Sequence, residues 1–193
     1  GFLFTEWGLL QQISTTMGGR TSMRPATRQA CYFATITTAH FRKQGIETGM
    51  ALSDDGMVQA GMGLAIRDFR PDGNLDIFKT HFADDTNVLY HNSGKGFFDD
   101  VTIRAGMGVE TRFVGWGAGI VDLDNDGHPD LFLATGMVYP DVEKKVPDAP
   151  YKTPNILFRN LGGGKFEELR DEAGPAVAVP HSSRGVAFGD FLR

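Results

Sequence analysis

Cysteine is nearly absent. Cys31 stands alone in 193 residues, which excludes an internal disulfide framework and offers no thiolate metal site. No apolar run approaches the roughly 20 residues that a membrane-spanning helix needs. Basic residues are outnumbered, with 19 Lys and Arg against 24 Asp and Glu and a net charge of −5. That balance argues against nucleic acid as a partner, because phosphate binding wants a basic face. Residues 1–20 lack a basic start followed by a long apolar core, so no signal peptide is visible. A nucleophile–base pair is missing as well. His181-Ser182-Ser183 follows Pro180 and reads as a polar loop before a strand, and the chain is expected not to be an enzyme. His81, His91 and His128 lack zinc spacing. Gly162-Gly163-Gly164 does not open a helix through Lys-Ser/Thr, so it is no phosphate loop.

Glycine, by contrast, is plentiful at 25 residues, and 41% of the chain is hydrophobic. Short apolar runs bounded by glycine predict strands and an all-β fold. The most informative stretch is Gly115-Trp116-Gly117-Ala118-Gly119-Ile120-Val121 followed by Asp122-Leu123-Asp124-Asn125-Asp126-Gly127-His128-Pro129-Asp130. Asp122, Asp124, Asp126 and Asp130 fall at positions 1, 3, 5 and 9 of one loop, with Gly127 at position 6. Hard cations take oxygen ligands, and this alternation aims every second carboxylate inward. Gly127 permits the sharp turn that frees the His128 carbonyl to act as the ligand at position 7. Calcium is the simplest occupant. An EF-hand is excluded, because position 12 is Leu133 where a bidentate Glu is required. The remaining alternative is an acidic β-turn that binds nothing, since Asp, Asn and Gly are ordinary turn residues.

The unit recurs. Gly61-Met62-Gly63 through Asp68 matches Gly115-Trp116-Gly117 through Asp122, 54 positions later (Asp68 to Asp122). The earlier loop keeps carboxylates at Asp68, Asp72 and Asp76 but carries Arg70 at position 3. It is expected to be a weak or empty metal site, with the Arg70 guanidinium pairing with the neighbouring carboxylates. Each loop is followed by a hairpin pattern, Asn87-Val88-Leu89-Tyr90-His91-Asn92 to Phe98 and Asn155-Ile156-Leu157-Phe158-Arg159-Asn160 to Phe166. About four strands per repeat result, at a period suited to propeller blades. Four prolines, Pro140, Pro147, Pro150 and Pro154, mark residues 137–154 as an inserted excursion. Such loops often carry binding function, though a tolerated surface insertion reads equally well.

The pattern Gly-x-Gly, Asp-x-Asp-x-Asp-Gly-x-x-Asp, then Asn-x-Leu-[Tyr/Phe]-x-Asn and Gly-x-Phe resembles the FG-GAP/VCBS repeats of integrin-α-type β-propellers. More closely, residues 46–193 resemble the ASPIC/UnbV (cartilage acidic protein-like) family. The resemblance implies four-stranded antiparallel blades in a partial propeller, with Ca²⁺ at Asp122, Asp124, Asp126 and Asp130. It implies a weaker Ca²⁺ site at Asp68, Asp72 and Asp76, where Arg70 departs from the pattern. The chain divides into an atypical segment 1–45, a first repeat 46–110, a second repeat 111–180 with the insertion 137–154, and the start of a third at 181–193.

Residues 1–45 match nothing as written. Regrouping their bases by one position lets residues 5–41 read as a further repeat, with Gly-x-Gly, an acidic loop and an Asn/Gly turn at matching spacing. We expect an out-of-frame, poorly ordered segment there, in which Cys31 and His40 carry no function.

Millimolar Ca²⁺ suits loops with dissociation constants of about 10⁻⁴ to 10⁻³ M. That places the module outside the cell, in the periplasm or at the cell surface. The expected role is a Ca²⁺-stabilised interaction or adhesion module, without membrane span, binding a protein or glycan through loops such as 137–154. The alternative is the non-catalytic propeller of a larger secreted hydrolase or lyase. Remaining blades of a longer chain would be its other partners, because two and a half repeats cannot close a ring and leave sheet edges prone to associate.

Overall fold

The computed structural model describes residues 4–5, 33–36, 40–53, 56–108, 111–144 and 149–189. The strands, in chain order, are β1 (Phe4–Thr5), β2 (Phe33–Ile36), β3 (His40–Lys43), β4 (Gly61–Arg67), β5 (Asp76–His81) and β6 (Val88–Asn92). They continue with β7 (Phe98–Asp100), β8 (Gly115–Val121), β9 (Asp130–Thr135), β10 (Ile156–Asn160) and β11 (Phe166–Leu169). One sheet has the order β1-β4-β5-β6-β7 and a second β11-β10-β9-β8, with β2 and β3 forming a separate pair. Every pairing is antiparallel. The four strands expected of each repeat are present: the fold is all-β, with two successive blades of a partial propeller. Of the segment expected to be out of frame, only Thr5, Phe33–Ile36 and His40–Phe41 are described; the rest lies outside the described residues.

The Gly-x-Gly motif is explained by how the blades meet. In both sheets the register of the first pair shifts within it, between Gly61 and Leu64 and between Gly115 and Ala118. A Cβ on Gly63 would lie 2.1 Å from the Trp116 carbonyl oxygen, and one on Gly117 would lie 3.0 Å from the Cα of Gly185. First strands of neighbouring blades therefore run backbone against backbone, which only glycine allows. The Gly117 amide donates to the Arg184 carbonyl at 3.0 Å, so the chain at Arg184 and Gly185 lies beside β8. Phe188 then packs edge-on against Phe132, with ring centroids 6.0 Å apart.

Alternation along the strands gives each sheet two apolar faces. Phe78 and Leu89 from the first sheet meet Ala118, Ile120, Leu131, Leu133 and Phe158 from the second in one core. The opposite face of the first sheet carries Met50, Val88 and Tyr90. The sequence pattern did not show the short helical turns Thr102–Ala105, Val142–Lys144, Asp171–Ala173 and Pro175–Ala178. Each sits in a connection, too short for a 3.6-residue period to register. The inserted excursion is tied down at its base. The Met137 amide donates to the Tyr151 carbonyl, and the Arg184 guanidinium donates to the Met137 carbonyl at 2.6 Å.

Two buried polar residues share that opposite face, Lys79 and His81. Burial, with the Lys79 charge second, pushes the His81 imidazole down to about 3. The unfolded chain binds a proton at its ordinary value near 6.5, so between the two values the unfolded state holds more protons. Stability from this group is complete above pH 6.5 and lost as pH falls. The loss reaches about 2 kcal/mol at pH 5, at about 1.4 kcal/mol per pH unit. Urea unfolding midpoints at pH 7.5 and pH 5 should differ accordingly. His81→Thr, which copies Thr135 of the next repeat, should remove most of that difference.

Candidate metal centre

The acidic loop after β8 opens on the last strand residue, Val121, and closes where Asp130 begins β9. It is a strand–loop–strand unit, as the apolar runs predict, with no helix at either side. Two left-handed residues make the curl, Asn125 (φ 61°) and Gly127 (φ 90°). Asn tolerates that region better than most side chains and Gly is indifferent to it.

Backbone amides then fix the carboxylates. Asp122 accepts from the Asp126 amide on one oxygen (3.2 Å) and from the Gly127 amide on the other (3.1 Å). Asp124 also accepts from Asp126 N at 3.2 Å. Asp130 is buried and spans two elements, accepting from Leu123 N at 3.0 Å and Asn160 N at 2.9 Å. Burial raises its pKa, against the pull of those amides, and the charges of Asp124 and Asp126 raise it further. One oxygen each from Asp122, Asp124 and Asp130 lie within 4.8 Å of one another. Ligand oxygens about 2.4 Å from one ion lie at most about 4.8 Å apart, so this donor set suits a hard divalent cation. The same cation would relieve the mutual repulsion of the three groups.

Asp126 and His128 meet through the His128 backbone amide. Asp126 is exposed, stands outside that trio, and accepts from the His128 amide at 2.7 Å. This closes an Asx turn over the far side of the loop.

The earlier loop, between β4 and β5, copies the backbone. Asp68 accepts from the amides of Arg70 and Asp72, both at 3.2 Å, and from Gly73 at 2.7 Å. Asp76 mirrors Asp130, accepting from Phe69 N at 3.2 Å and Asn92 N at 2.8 Å. Burial raises the Asp76 pKa, while a hydrogen bond from the Asn74 amide leads the effects lowering that of Asp72. Among the described residues, however, Asp68, Asp72 and Asp76 are not gathered as the later trio is.

Arg70 does not do what position 3 suggested. Its guanidinium lies over the Phe69 ring, 5.4 Å from the centroid, against Gly164 of the next blade. Its Nε has no hydrogen-bond partner among the described residues. His91 reaches the carboxylates instead, with Nδ1 at 2.9 Å from Asp76 and Nε2 at 3.6 Å from Asp72. Sequence reasoning set His91 aside because it looked only for zinc spacing. The available signal was register: Ile77 pairs with Tyr90, which puts His91 straight across from Asp76.

A model of the FG-GAP-like repeat family matches residues 68–133. Residues 68–133 form an FG-GAP-like repeat. The FG-GAP-like repeat starts on the first residue of the earlier acidic loop and ends inside β9, so it contains both loops and the hairpin between them. The chain is also similar to cartilage acidic protein 1 of Mus musculus, 25% identical over 132 residues that make up 68% of this chain. Those residues span 18% of that relative's length.

Trp116 and His181 both meet backbone near the base of the excursion. Trp116 donates through Nε1 to the Gly136 carbonyl at 2.7 Å, and the Arg184 guanidinium stacks on its ring at 4.6 Å. One face of the indole is therefore taken by Arg184. His181 bridges to Thr153 backbone to backbone in both directions. Among the described residues no helix is long and apolar enough to cross a membrane.

Proposed function

We propose that this chain is a calcium-stabilised FG-GAP-like propeller module that serves extracellular interaction or adhesion. The observation that carries the reading is the convergence of Asp122, Asp124 and Asp130 to within 4.8 Å. Calcium there would tie the start of the loop to the start of β9, and through Asn160 to β10. Its role is structural, and the module is non-catalytic. A protein or glycan ligand binds at the other end of the sheet. Antiparallel strands put the acidic loop and the 161–165 turn at one end, and the 137–154 excursion at the opposite one. An extracellular, periplasmic or surface setting follows from the Ca²⁺ concentration such a loop needs.

The test is thermal unfolding of the full chain with and without calcium. For a dissociation constant of about 10⁻⁴ M, 1 mM Ca²⁺ stabilises the fold by about 1.4 kcal/mol. Tm should then rise by about 3–6 °C, and the same concentration of Mg²⁺ should give little of that rise. Equal midpoints with Ca²⁺ and with chelator would reject the structural role.

A further inference from the structure

We infer that the earlier acidic loop of the repeat takes no calcium, because position 3 is an arginine and His91 holds the position-9 carboxylate. The inference concerns Asp68, Asp72 and Asp76 alone. It uses the calcium reading of the later loop only as its point of comparison.

The two loops differ in what stands across from position 9. In the later blade that residue is Arg159, and its guanidinium donates to Glu167 on β11, 2.7 Å from Oε2, while Asp124 and Asp126 of the loop still act on its charge. β10 and β11 pair Arg159 with Glu167 directly, so the side chain finds its carboxylate across the hairpin and leaves Asp130 to its two amides. In the earlier blade His91 pairs with Asp99 on β7, yet its ring turns the other way. Nδ1 is hydrogen-bonded to Asp76 at 2.9 Å, and Nε2 faces Asp72 at 3.6 Å. The ring also stands edge-on to Phe69, with centroids 6.2 Å apart, which fixes its plane. The imidazole is hydrogen-bonded to position 9 and only faces position 5.

A calcium ion needs ligand oxygens on several sides at 2.3–2.6 Å, and His91 takes the same Asp76 oxygen that already receives the Asn92 amide. Position 3 offers no side-chain oxygen, because a guanidinium carries only N–H donors, and Arg70 rests over Phe69. The loop keeps its shape without a metal through the amides of Arg70, Asp72 and Gly73 on Asp68, with Asn74 N on Asp72 at 2.9 Å. Arg70 removes a ligand and His91 holds the position-9 carboxylate, so undoing Arg70 alone does not restore a site.

Calorimetric titration of the full chain with Ca²⁺ alone tests this through stoichiometry. Wild type, Asp68→Asn and Arg70→Asp should bind the same number of ions. The double variant Arg70→Asp/His91→Ala should bind one more. Loss of an ion in Asp68→Asn overturns the inference. So does a gain in Arg70→Asp by itself, or no gain in a double variant whose near-UV circular dichroism is native. Asp124→Ala separates the two readings. If it leaves binding unchanged, the later loop is not the calcium site, while the comparison among the other variants stands as stated.

Discussion

Asp130→Ala is expected to abolish calcium uptake at the later loop and to lower stability by about 2–5 kcal/mol even without calcium. The Asp130 carboxylate is 3% exposed and accepts one amide on each oxygen, Leu123 N and Asn160 N. Deleting it leaves two amides unpaired, each costing about 1–3 kcal/mol when buried. Asp130→Asn keeps an acceptor and the shape, so it should recover part of the stability and none of the binding. Asp124→Ala is the contrasting case. Asp124 is exposed and, among the described residues, accepts from Asp126 N alone, at 3.2 Å, so its loss should remove calcium uptake and change the calcium-free stability by less than about 0.5 kcal/mol. Urea unfolding in chelator, beside calorimetry in Ca²⁺, separates the two effects. Equal losses of stability for both variants would contradict the assignment of Asp130 as the residue that joins loop to sheet.

Asp76→Ala should be at least as damaging to the fold and silent in calcium binding. Asp76 is fully buried and accepts from Phe69 N, Asn92 N and His91. Its removal strands two amides and an imidazole together, for about 2–5 kcal/mol. Tm should fall by about 4–20 °C at the scale of 2–4 °C per kcal/mol for a chain of this size. Asp76→Asn should lose less, because its amide oxygen still accepts. The measurement is a melt followed by circular dichroism in saturating Ca²⁺. A smaller drop for Asp76→Ala than for Asp76→Asn would contradict the role given to those hydrogen bonds.

Backbone geometry was legible in the sequence where a residue type is the only one that fits. Gly63 and Gly117 marked the repeat in the sequence, and the Cβ positions at 2.1 and 3.0 Å from neighbouring blades show why glycine stands there. The acidic loop was legible for the same reason, since Gly127 at φ 90° sets the curl that brings Asp122 and Asp124 towards Asp130. Side-chain direction was not legible. Arg70 beside carboxylates suggested an ion pair, but Phe69 and Gly164 offered its long stem a packed resting place. His91 and Arg159 occupy the same place in the hairpin pattern. Whether that side chain turns to the loop or across the hairpin depends on its length and on the partner strand, Asp99 in one case and Glu167 in the other. The backbone amides that hold each carboxylate, His128 N on Asp126 Oδ1 among them, follow from the curl of the loop and are not written in the alternation. The roles of His81 and Lys79 were invisible because they depend on which face of β5 is covered, and alternation along a strand does not say which face meets a neighbour.

The most direct measurement is a calorimetric Ca²⁺ titration of the full chain beside its Asp124→Ala variant. The account predicts a binding isotherm with a dissociation constant of about 10⁻⁴ to 10⁻³ M whose heat disappears on the substitution while the unfolding midpoint in chelator stays put. Heat that persists unchanged in Asp124→Ala would place the calcium elsewhere and contradict the account at its centre.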